Sequence, residues 1–472
     1  MSQIADLKPN KLVPWASEQL LEATHGQWLH LAQPSEFARV ISDTRQVQPN
    51  DIFLALTGER FDGHDFVAQA MNAGACAAIV NRPLDVNIPQ LVVADTRLAL
   101  GNLGAYRRQK NPQLTVIALT GSSGKTTVKE MLGSILSQLA PTLVTRGNLN
   151  NDLGVPMMLL ELQPEHRYAV MELGANHIGE IDYTSNMVQP HVAGILNIGT
   201  AHMGEFGGRI GIAQAKSEIF AHLKDGSVAV VPAVDDFSDV IRHAAAKQTI
   251  MSFGHGGDVY AQHTQLHASS SDFELVTPQG RIAISLPFAG AHNIDNALAA
   301  ATFALAIDVP LAQIAHGLNH AVGAKGRLNF KQYANWLIID DTYNANPHAM
   351  RAAAQVLSAQ SGCKIMIMGD IGELGDAAAK EHYLLGQDIA KLNLDAIFAV
   401  GEFAEQTIAG AHSNSNAVSA YAFTQKTDLL HHLKQFLNQL TPSTASLLFK
   451  GSRYTAMESL IAELLADSGE SI

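Results

Sequence analysis

The stretch TVIALTGSSGKTTVKEML, residues 115–132, leaves the chain few ways to fold. An apolar run (Val116 to Leu119) enters a glycine turn, and a helical pattern leaves it through Thr126 and Thr127. Such a unit turns backbone N–H groups and a helix N-terminus toward an anion, as phosphate-binding loops do. The usual spacing is Gly, four residues, Gly-Lys-Ser/Thr; here Leu119 holds the first glycine position and Gly121 follows two residues later. A plain strand–turn–helix connection would explain the glycines but not Lys125 followed by two threonines. Lys125 can reach β/γ-phosphates and the Thr126 hydroxyl can ligate Mg²⁺. Gly121, Ser122, Ser123, Gly124, Lys125, Thr126 and Thr127 are therefore expected to hold a nucleotide.

Around this loop the texture is α/β. Short apolar runs such as DIFLAL, AAIV and LVVA precede it, and YAVMEL, VAGILNI and SVAVVP alternate with helical stretches after it. That alternation implies a mainly parallel sheet covered by helices. A further βα series starts near WLIIDDTYNANP and runs through KIMIMGDIGELG and AIFAVGE to SLLFKGS, with AVGAKGRLNF as the joint. At 472 residues the chain exceeds one ordinary domain, and 47% hydrophobic content supplies several cores. Three α/β domains are expected, over 1–94, 95–323 and 324–472.

The formal charge of −13, with no Lys/Arg block, argues against a nucleic-acid partner. Two distant cysteines, Cys76 and Cys363, fit a reducing compartment and a cytoplasmic location. The N-terminal residues lack the charged and then apolar layout of a secretory signal. The run ALAAATFALAI is roughly half the length of a membrane span, so no membrane insertion is expected.

Other residues gain meaning beside the loop. Glu172 ends an apolar strand where α/β sheets bind ligands, and a carboxylate there either holds Mg²⁺ or caps the strand. His202 and Glu205 follow the next strand. Lys216, within the helical GIAQAKSEIF, reads alone as a solvated charge; its ammonium cannot ligate Mg²⁺, and only a modified form could. Asn293 and Asn296 precede an alanine-rich helix as a cap or as nucleotide contacts. Arg327 at the joint can complete a phosphate clamp. Asp340 and Asp341 end a strand, where an acid suits a ribose diol or a metal.

TGSSGKTT, GNLNNDLGVP, MELGANHIGEI, NIGTAHMGEF, AKSEIF, HNIDNALAA, GRL, DDTYNANP and MGDIGELG together resemble the Mur ligase family in order and content. SDTRQVQPNDIFLALTGERFDGHDF is similar to that family's uridine-diphosphate-binding domain. The resemblance covers nearly the whole chain. It implies a central parallel-sheet, P-loop ATPase-like domain between a uridine-nucleotide-binding N-terminal domain and a Rossmann-like C-terminal domain. It further implies an ATP-dependent ligase that adds D-alanyl-D-alanine to UDP-N-acetylmuramoyl-tripeptide through an acyl phosphate, acting as a monomer. The alternatives are another Mur-type amide ligase or a folylpolyglutamate synthetase; the DNPR string of the diamino-acid branch is absent.

By position, the resemblance implies Thr126 and Glu172 as Mg²⁺ ligands, His202 near a second Mg²⁺, and Lys216 carbamylated by CO₂. Asn293 and Asn296 would face the nucleotide, Arg327 the γ-phosphate and Asp341 the ribose. Asn148, Asn150 and Asn151 would contact the muramoyl peptide, and Ser42, Thr44 and Arg45 the uridine nucleotide. Lys450, Ser452 and Arg453 would line the closed cleft.

Overall fold

A computed structural model describes residues 12–33, 35–58, 61–199, 206–413, 418–440 and 444–466. The chain gathers into two compact units, and the division falls inside the strand Thr115–Thr120. The first unit takes its described residues from Met1–Ala118, Ala140–Gly174 and Glu180–His191. The second takes them from Leu119–Leu139, Ala175–Gly179 and Val192–Ile472.

In the first unit a five-stranded sheet runs in the order Gln27–Leu29, Gln90–Val92, Ala77–Val80, Ile52–Leu54 and Val40–Ile41. Only the first pair is antiparallel. Ile52–Leu54 and Ala77–Val80 are buried at every position, as strands covered on both faces must be. Period-two alternation divides their side chains: Ile52 and Leu54 pack with Trp15 and Phe37, while Phe53 packs with Val67 and Val80. The helix Thr96–Gln109 is capped by Asp95, whose carboxylate accepts from the N–H groups of Arg97 and Leu98 at 2.7 and 3.0 Å. At its other end Arg107 lies 3.9 Å over the Trp15 ring, and burial draws the Arg107 guanidinium down to about 10. Thr142–Val144 and Tyr168–Glu172 pair in parallel, and the second strand delivers Glu172 at its end.

In the second unit Val192–Ile195, Val228–Pro232 and Thr249–Phe253 pair in parallel. Three antiparallel strands follow, Tyr260–Leu266, Ser271–Thr277 and Gly280–Leu286. Sequence reading did not single these out, because Tyr260–Leu266 carries polar residues along an exposed edge instead of an apolar run. The alanine-rich helix Ala291–Leu305 is buried along most of its length, which explains its lack of a polar face.

The C-terminal part of this unit holds a six-stranded sheet in the order Asn329–Tyr333, Trp336–Asp341, Ala445–Lys450, Cys363–Gly369, Ala396–Val400 and Ser419–Phe423. All its pairs are parallel except the first. Helices Pro347–Ser358, Ala378–Ile389 and Ala404–His412 pack on one face, and Lys426–Asn438 and Glu458–Ala466 on the other. Two helices meet through glycine: a Cβ on Gly386 would strike the Thr407 carbonyl, and one on Gly410 the Tyr383 carbonyl. The last strand, Ala445–Lys450, inserts between two earlier ones and brings Lys450 into register with Asp341. Among the described residues no helix is long and apolar enough to cross a membrane.

Candidate functional site

The loop Gly121–Thr127 is fastened from behind. Strand Thr115–Thr120 ends in the turn, and the Leu196 N–H donates to the Thr120 carbonyl at 2.9 Å. Asn197 Oδ1 accepts from the N–H and the hydroxyl of Ser123 at 3.0 and 3.2 Å, and its Nδ2 donates back to the Ser123 carbonyl at 3.1 Å. Ser122 Oγ accepts from the Gly199 N–H at 2.8 Å. Gly124 takes φ 81° to start the helix Lys125–Ser137, and a Cβ there would collide with Asn296 Oδ1. Lys125 curls back, its Nζ donating to the Gly121 carbonyl at 2.7 Å. The ammonium therefore stands at the mouth of the loop.

Asn197 lies in the motif NIGTAHMGEF, but sequence reasoning gave it no role. Its three bonds to one loop residue make it a positioning group. Asn197→Ala is expected to raise the KM for ATP about tenfold, with a smaller change in kcat, because the Ser123 N–H loses its acceptor. Steady-state kinetics measure this, and an unchanged KM would remove Asn197 from the loop's support.

Lys216 sits on the helix Arg209–Ser217 with Ile212, Ala213 and Ala215, and only 3% of its surface is exposed. The solvated-charge reading of this lysine therefore fails. Burial, and next the charge of Lys125, draw its amine down to about 7. At neutral pH a far larger share of such amines is neutral and nucleophilic than of ordinary lysines.

On the same unit Asn293 is buried at the start of the helix Ala291–Leu305, with Nδ2 donating to the Ala289 carbonyl at 2.8 Å. Asn296 Nδ2 donates to Asn293 Oδ1 at 3.0 Å, leaving Asn296 Oδ1 against Gly124. The loop, Asn293 and Asn296 are thus brought together. Arg327 stacks over the Tyr343 ring at 4.3 Å, and its buried Nε has no hydrogen-bond partner among the described residues. Asp341 is buried and ion-paired with Lys450 at 2.6 Å. Lys450, expected to line a cleft, is itself buried. Ser452 Oγ accepts from the Gly372 N–H at 2.8 Å, and exposed Arg453 pairs with Glu458. Asp340 accepts from the N–H and hydroxyl of its neighbour Thr342.

In the first unit Glu172 is buried and accepts from Asn150 Nδ2 at 2.7 Å. Asn151 Oδ1 caps the start of the helix Gly154–Leu159 by accepting from the Gly154 N–H at 2.8 Å. Asn148 is exposed, and its carbonyl accepts from the Asn150 N–H at 2.7 Å. Ser42, Thr44 and Arg45 lie at a separate turn, where exposed Arg45 pairs with Asp43 at 2.7 Å. The Arg45 hydrogen bonds hold the Asp43 carboxyl below its usual range. His202 and Glu205 lie outside the described residues. Among the described residues no group of three or more His, Cys, Asp or Glu side chains is arranged to hold a metal ion.

Three family models match this chain: the Mur ligase family catalytic domain over residues 36–119, the Mur ligase middle domain over 119–304, and the Mur ligase glutamate ligase domain over 326–453. The UDP-N-acetylmuramoyl-tripeptide–D-alanyl-D-alanine ligase of Escherichia coli (strain K12) is 42% identical over 90% of this chain and 93% of its own length. The ligase of that name from Bacillus subtilis (strain 168) is 34% identical over 90% and 93%. Among solved structures, MurF from Acinetobacter baumannii superposes with a TM-score of 0.93 at 61% identity, covering 96% of this chain and 99% of its own. MurF ligase from Thermotoga maritima, in complex with ADP, gives a TM-score of 0.81 at 26% identity, covering 91% and 97%.

Proposed function

This chain belongs to the Mur ligase family, and we propose that it joins D-alanyl-D-alanine to UDP-N-acetylmuramoyl-tripeptide as ATP is cleaved to ADP and phosphate. The product is the UDP-linked pentapeptide used in building peptidoglycan. The feature that carries this is the loop Gly121–Thr127, fastened by Asn197 with the Lys125 ammonium at its mouth, in a chain similar to ligases of that activity over nine-tenths of its length.

A peptide carboxylate is a poor electrophile. Its oxygen attacks the γ-phosphorus of ATP, the bond to ADP breaks, and an acyl phosphate forms. Lys125 offsets charge building on the phosphoryl oxygens, the loop N–H groups cradle the phosphates, and Arg327 faces the γ-phosphate. The amine of D-alanyl-D-alanine then attacks the acyl carbon; the tetrahedral adduct loses a proton and expels phosphate. Keeping water out protects the acyl phosphate until the amine arrives.

Mg²⁺ takes oxygen ligands, and the Thr126 hydroxyl and Glu172 carboxylate, each buried within its own unit, would serve as its oxygen donors. Lys216 fits only once its neutral amine has added CO₂, losing a proton to become a carbamate; its burial and its neighbour Lys125 favour that neutral amine. Bound there, Mg²⁺ would neutralise phosphate charge. In this assignment Asn293 and Asn296 face the nucleotide and Asp341 its ribose. Asn148, Asn150 and Asn151 serve the muramoyl peptide, Ser42, Thr44 and Arg45 the uridine nucleotide, and Arg453 the substrate cleft. The domains span 1–94, 95–323 and 324–472, and the enzyme works as a monomer in the cytoplasm.

Isotope transfer tests the acyl phosphate. With both oxygens of the reacting peptide carboxylate labelled with ¹⁸O, the released phosphate is expected to carry one ¹⁸O atom. Phosphate without label would mean that water, and not the carboxylate, takes the phosphoryl group.

A further inference from the structure

Lys450 closes the strand Ala445–Lys450, directly beside Asp341 at the end of Trp336–Asp341. Their residues are 1% and 6% exposed. Lys450 Nζ donates to Asp341 Oδ2 at 2.6 Å and to the Asn344 carbonyl at 3.0 Å. Asp341 Oδ1 accepts only a long bond, 3.3 Å from the Leu328 N–H, among the described contacts. The two carboxylate oxygens are thus unequal: one is fixed and the other has capacity to spare.

A buried ion pair adds little stability, because desolvation offsets the attraction between its charges. Its presence here asks for another use. His292 also interacts with both charges of the pair, and burial draws it down to about 4, so it carries no charge at neutral pH. Arg327 is the other nearby cation, and it stacks on Tyr343 in the turn that follows Asp341. Lys450 is therefore the cation bonded to the Asp341 carboxylate. A bare carboxylate beside a triphosphate would repel it.

We propose that Lys450 is a positioning residue for nucleotide recognition: it holds Asp341 by Oδ2, turns Oδ1 toward the ribose diol, and cancels the carboxylate charge next to the phosphates. This rests on the assignment of Asp341 to the ribose made above.

The test compares ATP with 2′,3′-dideoxy-ATP as substrates for the full-length enzyme and for Lys450→Met, Asp341→Leu and the double variant. The unmodified enzyme is expected to favour ATP in KM by about tenfold or more, the scale of hydrogen bonds to a charged acceptor. Lys450→Met should cut that preference below about threefold, with a smaller change in kcat, and the double variant should match Asp341→Leu alone. Lys450→Met keeping the full preference while Asp341→Leu loses it would overturn the positioning role. Full preference in Asp341→Leu would instead overturn the ribose assignment, and the proposal with it. Should Lys450→Met fail to fold, the double variant decides, since it buries no unpaired carboxylate: a preference below that of Asp341→Leu would mean that Lys450 acts on some other group, against the proposal.

Discussion

Lys125→Met lowers kcat/KM for ATP by about a thousandfold or more while the protein unfolds at nearly its original temperature. The substitution keeps the length of the side chain and removes only the ammonium. In the structure that ammonium is held 2.7 Å from the Gly121 carbonyl, at the mouth of the loop and not within a core. That hydrogen bond is exchangeable with water, and its net contribution to folding is about 1 kcal/mol. During phosphoryl transfer the same charge faces oxygens gaining negative charge, where loss of a preorganised cation is worth about 3–4 kcal/mol. Kinetics of ADP formation beside a thermal unfolding curve separate the two effects. Activity within tenfold of the unmodified enzyme would show that the loop binds phosphate without using Lys125 in the transfer.

Lys216→Met has the second large effect, and it moves activity and stability apart. Turnover is expected to fall about a hundredfold or more, because no carbamate can form at this position and a metal-directed oxygen is lost. Stability should hold or rise. The amine is drawn from 10.5 to about 7 by burial and by Lys125, so the folded state disfavours the charged form. That penalty is fully present below pH 7 and falls away as pH rises from 7 toward 10.5, where the unfolded chain also loses its proton. In CO₂-free buffer Lys216→Met should therefore melt above the unmodified protein at pH 6, with the gap closing as pH rises. In ¹³C-bicarbonate a carbamate carbon signal should appear in the unmodified protein and be missing from the variant. Full activity in the variant, or no such signal, would return Lys216 to a structural role.

The loop was legible because its signal is local: an apolar strand, glycines and a Lys-Thr-Thr helix start lie within a dozen residues. The buried strands Ile52–Leu54, Ala77–Val80 and Val228–Pro232 were legible for the same reason, as apolar runs between turns. Tyr260–Leu266 was not, since an exposed antiparallel strand does not need an apolar run. Asn197 stayed unassigned because its work is a hydrogen-bond geometry across 74 residues of chain. The Lys450–Asp341 pair spans 109 residues and depends on one strand inserting between two others, an order that no composition pattern announces. Lys216 by residue type alone reads as a solvated charge, because burial on a helix face is a tertiary property; only the family resemblance pointed to it as a site residue. The division into two compact units falls within a continuous strand, where the sequence carries no linker.

The most direct test of the ligase assignment is phosphate release from ATP with Mg²⁺ and UDP-N-acetylmuramoyl-tripeptide, run with D-alanyl-D-alanine, with single amino acids and with no acceptor. The account predicts release that requires the dipeptide, together with a UDP-linked pentapeptide of the matching mass. Release that is the same with any acceptor or with none would contradict it.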